Sequence, residues 1–189
     1  MTIALKEWAV AIEALMQGEM ILLLRKGGIH EQGGQFSIAQ PQFWLFPTYE
    51  HQKPHLLKSP YCDRVSLVEP GWHPETVSLQ AWARVTQVDA ITAAEQVAAL
   101  LSFHIWTETF VAERFKWKPR SPLSLLLLRV YRLSQPLVLP YRSEYGGCKS
   151  WIDWHEWISP TEIAAQPVLS ESAYQQQVQA IQSAIEVLV

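Results

Sequence analysis

The feature that most constrains the fold is an uninterrupted apolar run from Met20 to Leu24, within the segment GEMILLLRKGG. A short apolar run without polar alternation is typical of a strand that is covered on both faces of a sheet. Gly18 precedes the run at a position that suits a left-handed helix end, and Gly27 with Gly28 turns the chain after it. The sequence therefore predicts a buried strand here, with a helix before it and a turn behind it.

The other elements follow from the same periodicities. Apolar spacing predicts helices over residues 3–17, 92–101, 107–115 and 170–188, with Thr2 capping the first and Thr92 forming a capping box with Glu95. Strand patterns occur at 35–38, 43–46, 79–88 and 123–133, and a further extended piece covers 134–141. Helices and strands do not alternate regularly, so we predict an α+β fold with a small mixed or antiparallel sheet and flanking helices.

Composition bounds the class of protein and its organisation. The chain has 189 residues, of which 49% are hydrophobic and 17% charged, as in a globular protein that needs no disulfide or metal staple. We expect one core domain over residues 1–160, and a C-terminal helix within 161–189 that packs on the core or on a partner, including a second copy. Charged residues interrupt the N-terminal apolar pattern and no run could span a bilayer, so we expect a cytoplasmic protein without a membrane partner.

Charge and tryptophan are unevenly distributed along the chain. The net charge is −3, yet residues 114–149 carry eight basic side chains against the single acid Glu144, and residues 150–189 carry five acids and no Lys or Arg. This segregation is compatible with a face that binds polyanions, or with cations that scatter over several faces after folding. The nine tryptophans, three of them at Trp151, Trp154 and Trp157, predict either a core or lid cluster or platforms that stack a base.

The glycine-rich segment after the apolar run matches no nucleotide-binding pattern. It contains neither GxxxxGK[ST] nor GxGxxG. Two interpretations remain open. The pairs at residues 27–28 and 33–34 are turns that end a strand, or Arg25 and Lys26 join uncovered backbone amides in a nest for one phosphate or carboxylate.

Residues for catalysis or metal binding are sparse. His51 and His55 have helical ligand spacing but a proline stands between them, and the chain has no HExxH and no CxxC. His155 lies between two acids and Cys148 precedes a lysine, but surface and packing roles are the alternatives. No GxSxG and no nuclease-like pairing of two acids with a lysine occurs. We therefore predict no cofactor, no metal and no catalytic residue.

Three longer strings, LKEWAVAIEALMQGEMILLLRKGGI, FWLFPTYEHQ and YGGCKSWIDW, occur in this order. Together they resemble the bacterial family called domain of unknown function 1802, over most of residues 4–160. The family has no established activity. Some members are joined to a restriction-endonuclease-like domain, so the resemblance implies a link to restriction-modification or defence.

A second resemblance is to the ASCH domains of the PUA-like superfamily, which begin with a helix, a glycine and a strand carrying GxKxxExR. Gly18 and Arg25 match both ends of that pattern, whereas Met20 and Leu23 stand in place of its Lys and Glu. The resemblance implies a PUA-like pseudo-barrel that binds RNA or reads modified bases. The missing Lys and Glu weaken a hydrolase interpretation more than a binding one.

These observations predict a non-catalytic module that binds RNA or DNA, including modified bases. Arg25, Lys26 and the loop over residues 47–51 would form one wall, aromatic side chains would stack a base, and further cations would approach phosphates. The predicted contact residues are Arg25, Lys26, Thr48, Tyr49, His51, Arg64, Arg129, Arg132, Lys149 and Trp151. Two alternatives are a small hydrolase of a nucleoside-like or amide substrate, and an interaction protein with a Trp-rich docking surface. The hydrolase would use Lys26, Glu50, His51 and His155.

Overall fold

A computed structural model describes residues 3–26, 38–147, 149–153 and 163–186. Its centre is a seven-stranded sheet in the order β2-β5-β4-β3-β1-β6, with β7 also paired to β5. The strands are β1 (Ile3–Trp8), β2 (Leu22–Arg25), β3 (Gln42–Thr48), β4 (Thr76–Ile91), β5 (Leu123–Pro140), β6 (Trp151–Asp153) and β7 (Ala165–Pro167). β1 and β3 run parallel and the other described pairs are antiparallel. The predicted α+β class with a mixed sheet is confirmed.

Helices flank this sheet. They are α1 (Ala9–Gln17), α2 (Ser59–Cys62), α3 (Ala94–Ala99), α4 (Glu108–Lys116) and α5 (Glu171–Glu186). α1 packs on β3 and β5, and α5 buries Tyr174, Ile181 and Ile185 in the same hydrophobic core. Within the described part of the chain, no helix combines the length and apolar character needed to cross a membrane.

The prediction of one helix over residues 3–17 is wrong in its first half. Residues 3–8 form β1, which lies between β3 and β6, so that Ala4 and Leu5 are both fully buried on opposite faces. Pairing on both sides overrides the helical spacing of the apolar residues. α1 starts only at Ala9, and the side-chain oxygen of Gln52 accepts the hydrogen bond of the Val10 amide (3.1 Å) where no local cap exists. Thr2, the predicted cap, lies outside the described residues.

The remaining elements follow the sequence more closely. β3, β4 and β5 are confirmed and are longer than predicted, since the extended piece after Ser134 continues β5 to Pro140. α4 begins at its predicted cap, with Thr107 Oγ1 accepting from the Phe110 amide (3.4 Å). The N-terminus of α3 is capped by Gln96 and not by the predicted Glu95. The side-chain oxygen of Gln96 accepts hydrogen bonds from the amides of residues 92 and 93. Most of the predicted strand at 35–38 lies outside the described residues.

The sheet is curled, although its hydrogen-bond order is open within the described residues. β1 lies four positions from β2, which in a flat sheet would separate the two strands by roughly 19 Å. Nevertheless, Arg25 at the end of β2 and Glu7 near the end of β1 are joined by an ion pair of 2.8 Å. The sheet therefore bends around the main core until the ends of β1 and β2 meet, and this curvature places charged side chains inside the fold.

Candidate nucleic-acid interface

An aromatic cleft lies where β3 ends. It is lined by Lys6, Phe46, Pro47, Thr48, Tyr49, Glu50, Trp72, His73, Pro74, Val77 and Tyr141. Two of the predicted contact residues, Thr48 and Tyr49, belong to it. The strand pairing positions this wall, because β1 carries Lys6 beside Phe46 of β3 and the start of β4 brings Val77 to the same face.

The rings of the cleft are arranged in two pairs. Tyr49 and Trp72 are perpendicular, with ring centres 5.9 Å apart, and His73 stacks on Tyr141 at 4.1 Å with nearly parallel planes. Trp72 is 44% exposed, so part of its indole surface faces solvent. The enclosed volume is only about 20 Å³, which is too small for a base. A ligand would therefore lie on the exposed rings, as unpaired bases do on stacking platforms.

Polar groups accompany the rings. Glu50 Oε1 accepts a hydrogen bond from the Gly71 amide at 3.0 Å, which ties the loop of Trp72 to the end of β3. Burial raises the pKa of the Tyr141 hydroxyl, and the nearby Glu50 carboxylate raises this pKa further. Tyr141 is therefore a neutral hydrogen-bonding group at physiological pH. The neighbouring Glu50 carboxylate can accept a hydrogen bond from the amino group of a base.

Three cations surround the turn that follows the cleft. Lys6 Nζ donates to the carbonyls of Tyr145 (2.8 Å) and Gly147 (3.0 Å), and Lys149 Nζ donates to the Glu144 carbonyl. Arg142 lies 3.8 Å from the Glu144 carboxylate. Glycine suits this turn, because Gly147 has φ +79° and a Cβ at residue 146 would lie 3.1 Å from the Ser143 carbonyl oxygen and 3.2 Å from the Tyr141 hydroxyl. Lys149, a predicted contact residue, thus lies next to the cleft.

A polar groove continues from the cleft along α1. Two adjoining cavities of about 320 and 280 Å³ share Glu13, Met16 and Gln80, and the first also contains Tyr49. The predicted residues Arg64 and Arg132 line this groove. Both are engaged: Arg64 binds the Glu19 carboxylate through two bonds of 2.9 Å, and Arg132 donates to the Met16 carbonyl at 2.5 Å.

A second polar site lies on the other face of β1. We name it the β2-end cluster, and it consists of Glu7, Arg25, Lys26 and Arg114. Glu7 accepts from Arg25 (2.8 Å) and from the Trp8 amide (2.9 Å). Arg114 donates to the Leu24 carbonyl at 3.2 Å, and Lys26 donates to the Phe115 carbonyl. Arg25 and Lys26 therefore do not share a wall with Tyr49.

Burial sets the electrostatics of the β2-end cluster. Burial lowers the pKa of Lys26 and that of Arg114. The Glu7 carboxylate raises the pKa of Arg114, and the positive charge of Arg25 lowers it further. Arg114 therefore senses both partners of the ion pair, so that Glu7, Arg25 and Arg114 form one electrostatic unit.

The other predicted contact residues are placed elsewhere. Arg129 is buried, with its guanidinium over the Tyr174 ring (4.9 Å) and 3.5 Å from the Glu171 carboxylate. Trp151, in the edge strand β6, packs edge-on against Phe43. His51 is exposed and has a positive φ of 63°. Arg129 is thus part of the packing of α5 and is not available to a phosphate.

The basic segment does not form one face. Its members reach the β2-end cluster, α5, α1 and the turn at residues 143–147, which matches the scattered alternative. Of the hydrolase candidates, Glu50 lines the cleft whereas Lys26 contacts Phe115. Among the described residues, no group of three or more His, Cys, Asp or Glu side chains is placed to hold a metal. Gly27, Gly28, Gly33, Gly34, Cys148, Trp154, His155 and Trp157 lie outside those residues.

The sequence analysis missed several members of the cleft and the cluster, among them Lys6, Trp72, Tyr141 and Arg114. Trp72 carried a usable signal, since an aromatic residue within GWHP stands in a turn and is exposed there. Lys6 had no such signal, because the predicted helix over residues 3–17 did not place it beside any residue of the cleft. Arg114 and Tyr141 come close to their partners only through the sheet pairing.

The chain is similar to solved structures and matches one family model. The ASCH protein of Zymomonas mobilis is similar to the chain with a TM-score of 0.48 and 11% identity, over 94% of this chain and 93% of that one. A serine-to-alanine variant of that protein gives a TM-score of 0.44 at 12% identity, over 94% of each chain. No curated protein matches the sequence. The family described as a domain of unknown function, number 1802, matches residues 4–180, and the chain belongs to this family.

Proposed function

We propose that this protein is a binding module for single-stranded nucleic acid, with the aromatic cleft as its contact surface. The observation that carries the proposal is the exposed Trp72 ring, set perpendicular to Tyr49 and next to the stacked pair His73 and Tyr141. Such rings stack unpaired bases of any sequence, and double-stranded nucleic acid does not offer them a free base.

The cations next to the cleft support the same proposal. Lys6, Arg142 and Lys149 all contact or flank the turn at residues 143–147. A strand whose base lies on Trp72 would run its phosphates past these side chains. Because Glu50 and Glu144 lie in the same region, we expect modest affinity that depends on salt.

The first test measures binding of labelled single-stranded RNA and DNA by fluorescence anisotropy. Trp72→Ala should weaken binding by roughly 5- to 150-fold, the range that corresponds to the loss of one base stack. Trp117→Ala is a matched control, because Trp117 is 45% exposed and Trp72 is 44% exposed, but only Trp72 lines the cleft. Equal affinity of the two variants would refute the proposed surface.

The dependence of the binding affinity on salt concentration provides a second test of the same interface. Lys149→Gln should reduce the slope of log affinity against log salt by about 0.7, the value for one phosphate contact on a single strand. An unchanged slope would remove Lys149 from the interface.

A link to restriction-modification, and preference for a modified base, remain part of the proposal. Comparing methylated with unmethylated oligonucleotides of one sequence tests the preference for a modified base. Identical affinities would leave a general single-strand binder and would end the modified-base interpretation.

A further inference from the structure

The first cavity of the polar groove along α1 is large enough for a small organic ligand. Its volume is about 320 Å³, within the range of small-molecule sites, whereas the aromatic cleft encloses only about 20 Å³. Its base is apolar, because the buried core residues Val10, Ile12 and Leu45 line it. An apolar base beneath polar side chains suits a flat ring whose edges carry hydrogen-bonding groups, such as a nucleobase.

Several polar side chains of this cavity have no partner in the protein. Those of Ser66, Ser78 and Gln80 line it and make no hydrogen bond within the described part of the chain. Gln80 also lies at an irregularity of the sheet, where residue 80 of β4 stands opposite residues 133–136 of β5. Such bulges redirect side chains and are common next to functional sites.

Glu13 is the charged group where the two cavities of the groove adjoin, because it lines both. Its Oε1 accepts a hydrogen bond from Gln17 Nε2 at 2.9 Å and lies 3.9 Å from Arg64 Nη1. Its Oε2 receives no hydrogen bond from the described residues. Arg64 is directed to Glu19 by two bonds of 2.9 Å, so the Glu13 carboxylate keeps acceptor capacity that the protein does not use.

We infer that the polar groove binds a guanine base, with the Glu13 carboxylate as the acceptor for its Watson–Crick edge. Guanine presents N1–H and its 2-amino group side by side on this edge, and a carboxylate can accept from both. Adenine, cytosine and uracil each present a single donor group there. The Gln80 amide and the Ser78 hydroxyl offer donors for the O6 and N7 acceptors of guanine.

The guanine can belong to a free nucleoside or to a strand. Pro47 and Tyr49 line both the cavity and the aromatic cleft, so a strand whose one base lies on Trp72 could place a neighbouring base in the groove. Trp72 itself does not line the groove. Binding of the base therefore does not require the proposed function.

Calorimetric titration with guanosine, adenosine, cytidine and uridine tests the site. We expect guanosine to bind roughly 5- to 150-fold more tightly than the other three, the discrimination that one bidentate pair provides. Inosine differs from guanosine only by the missing 2-amino group and should bind at least about tenfold more weakly. Absence of guanosine binding, or equal affinities for guanosine and inosine, would overturn the inference.

A neutral variant connects the preference to Glu13. Glu13→Gln should raise the guanosine Kd at least about tenfold, because the amide replaces one acceptor oxygen with a donor group. The Glu13 side chain is 41% exposed, so we expect this variant to fold, and its urea unfolding midpoint checks that it does. Glu95→Gln is the matched control, since Glu95 is exposed on α3 and lines neither cavity. Equal guanosine affinities of the two variants would also contradict the site.

Trp72→Ala separates this inference from the proposed function, because it should leave guanosine affinity unchanged. Guanosine binding without oligonucleotide binding would refute only the proposed function. Oligonucleotide binding without a preference for guanosine would refute only the guanine site. A uridine strand with a single guanine then identifies the source of the base. Tighter binding of this strand than of guanosine and of the all-uridine strand assigns the groove to a strand, and binding equal to that of the all-uridine strand assigns it to a free nucleoside.

Discussion

Single residues determine where the chain turns between elements, and Gly18, which ends α1, is the clearest example. It ends α1 in the left-handed region, with φ +72° and its amide bonded to the Leu15 carbonyl at 3.2 Å. A Cβ at this position would lie 2.7 Å from Leu169 Cδ2, so Gly18 also provides room for the segment that precedes α5. The sequence indicated the helix end but not the contact with Leu169, since residue 169 is distant along the chain.

Two glycine variants separate backbone strain from steric contact. Gly71 has φ +81° and no atom within 4 Å of its Cβ position. Gly71→Ala should therefore lower the free energy of unfolding by about 1 kcal/mol, from left-handed strain alone. Gly18→Ala should cost this strain and a shift of the Leu169 side chain, for a total of roughly 2 kcal/mol. Urea unfolding of both variants measures the difference, and an equal loss would show that Leu169 moves freely.

Some residues of the candidate site could be chosen from their local sequence, whereas others depend on contacts with residues distant along the chain. Thr48 and Tyr49 were chosen because they lie at the end of an apolar strand, where loops often carry function, and Thr48 is the last residue of β3. Arg25 and Lys26 were predicted as binding residues from the sequence alone, whereas their contacts, Glu7 and Phe115, belong to other elements. Such partners depend on strand order, which apolar periodicity does not encode.

At the scale of elements, long strands were predicted and the first strand was not. β4 and β5 alternate or run apolar over many residues, and these two strands, which follow one another in the order of strands, pair antiparallel along most of their length. β1 has only six residues and gains its strand character from β3 and β6. Short elements stabilised by distant partners are therefore the ones that local patterns assign wrongly.

The C-terminal helix provides the second stability test. We propose that α5 is a fixed part of the core and not a docking arm, since Ile181 is 1% exposed within the main core. Ile181→Ala should then lower the free energy of unfolding by about 2–5 kcal/mol. Gln179→Ala, an exposed position on the same helix, should change it by less than about 0.5 kcal/mol. A small effect of Ile181→Ala in a monomer would mean that α5 contributes little to the core.

At the scale of the whole molecule, one buried histidine links stability to acid. His104 is 4% exposed and neither ring nitrogen makes a hydrogen bond within the described residues. Burial lowers its pKa to about 4, helped by the Lys58 ammonium, which donates to the His104 carbonyl at 2.6 Å. The carbonyls of residues 104 and 106 oppose this shift weakly, without reaching hydrogen-bond geometry.

The sign of the pH effect follows from the direction of this shift. The unfolded chain binds a proton on His104 below about pH 6.5, whereas the folded chain does so only near pH 4, so stability falls as the pH drops between these values. The full loss is about 3 kcal/mol. His104→Leu should flatten this part of the stability curve and cost little at pH 7, because it removes an unpaired polar ring. The exposed His55→Leu is the control and should keep the original slope; a similar slope in both variants would contradict the assignment.

The strand order has a consequence for how the protein is made. The chain emerges from the ribosome with its N-terminus first, yet β2 pairs with residues 124–127 and β1 has β6, at 151–153, as its second neighbour. The apolar run Met20–Leu24 is therefore synthesised long before the strand that covers it. Until residues 124–127 are synthesised, this uncharged apolar segment has no β5 to pair with, and such exposed segments favour aggregation.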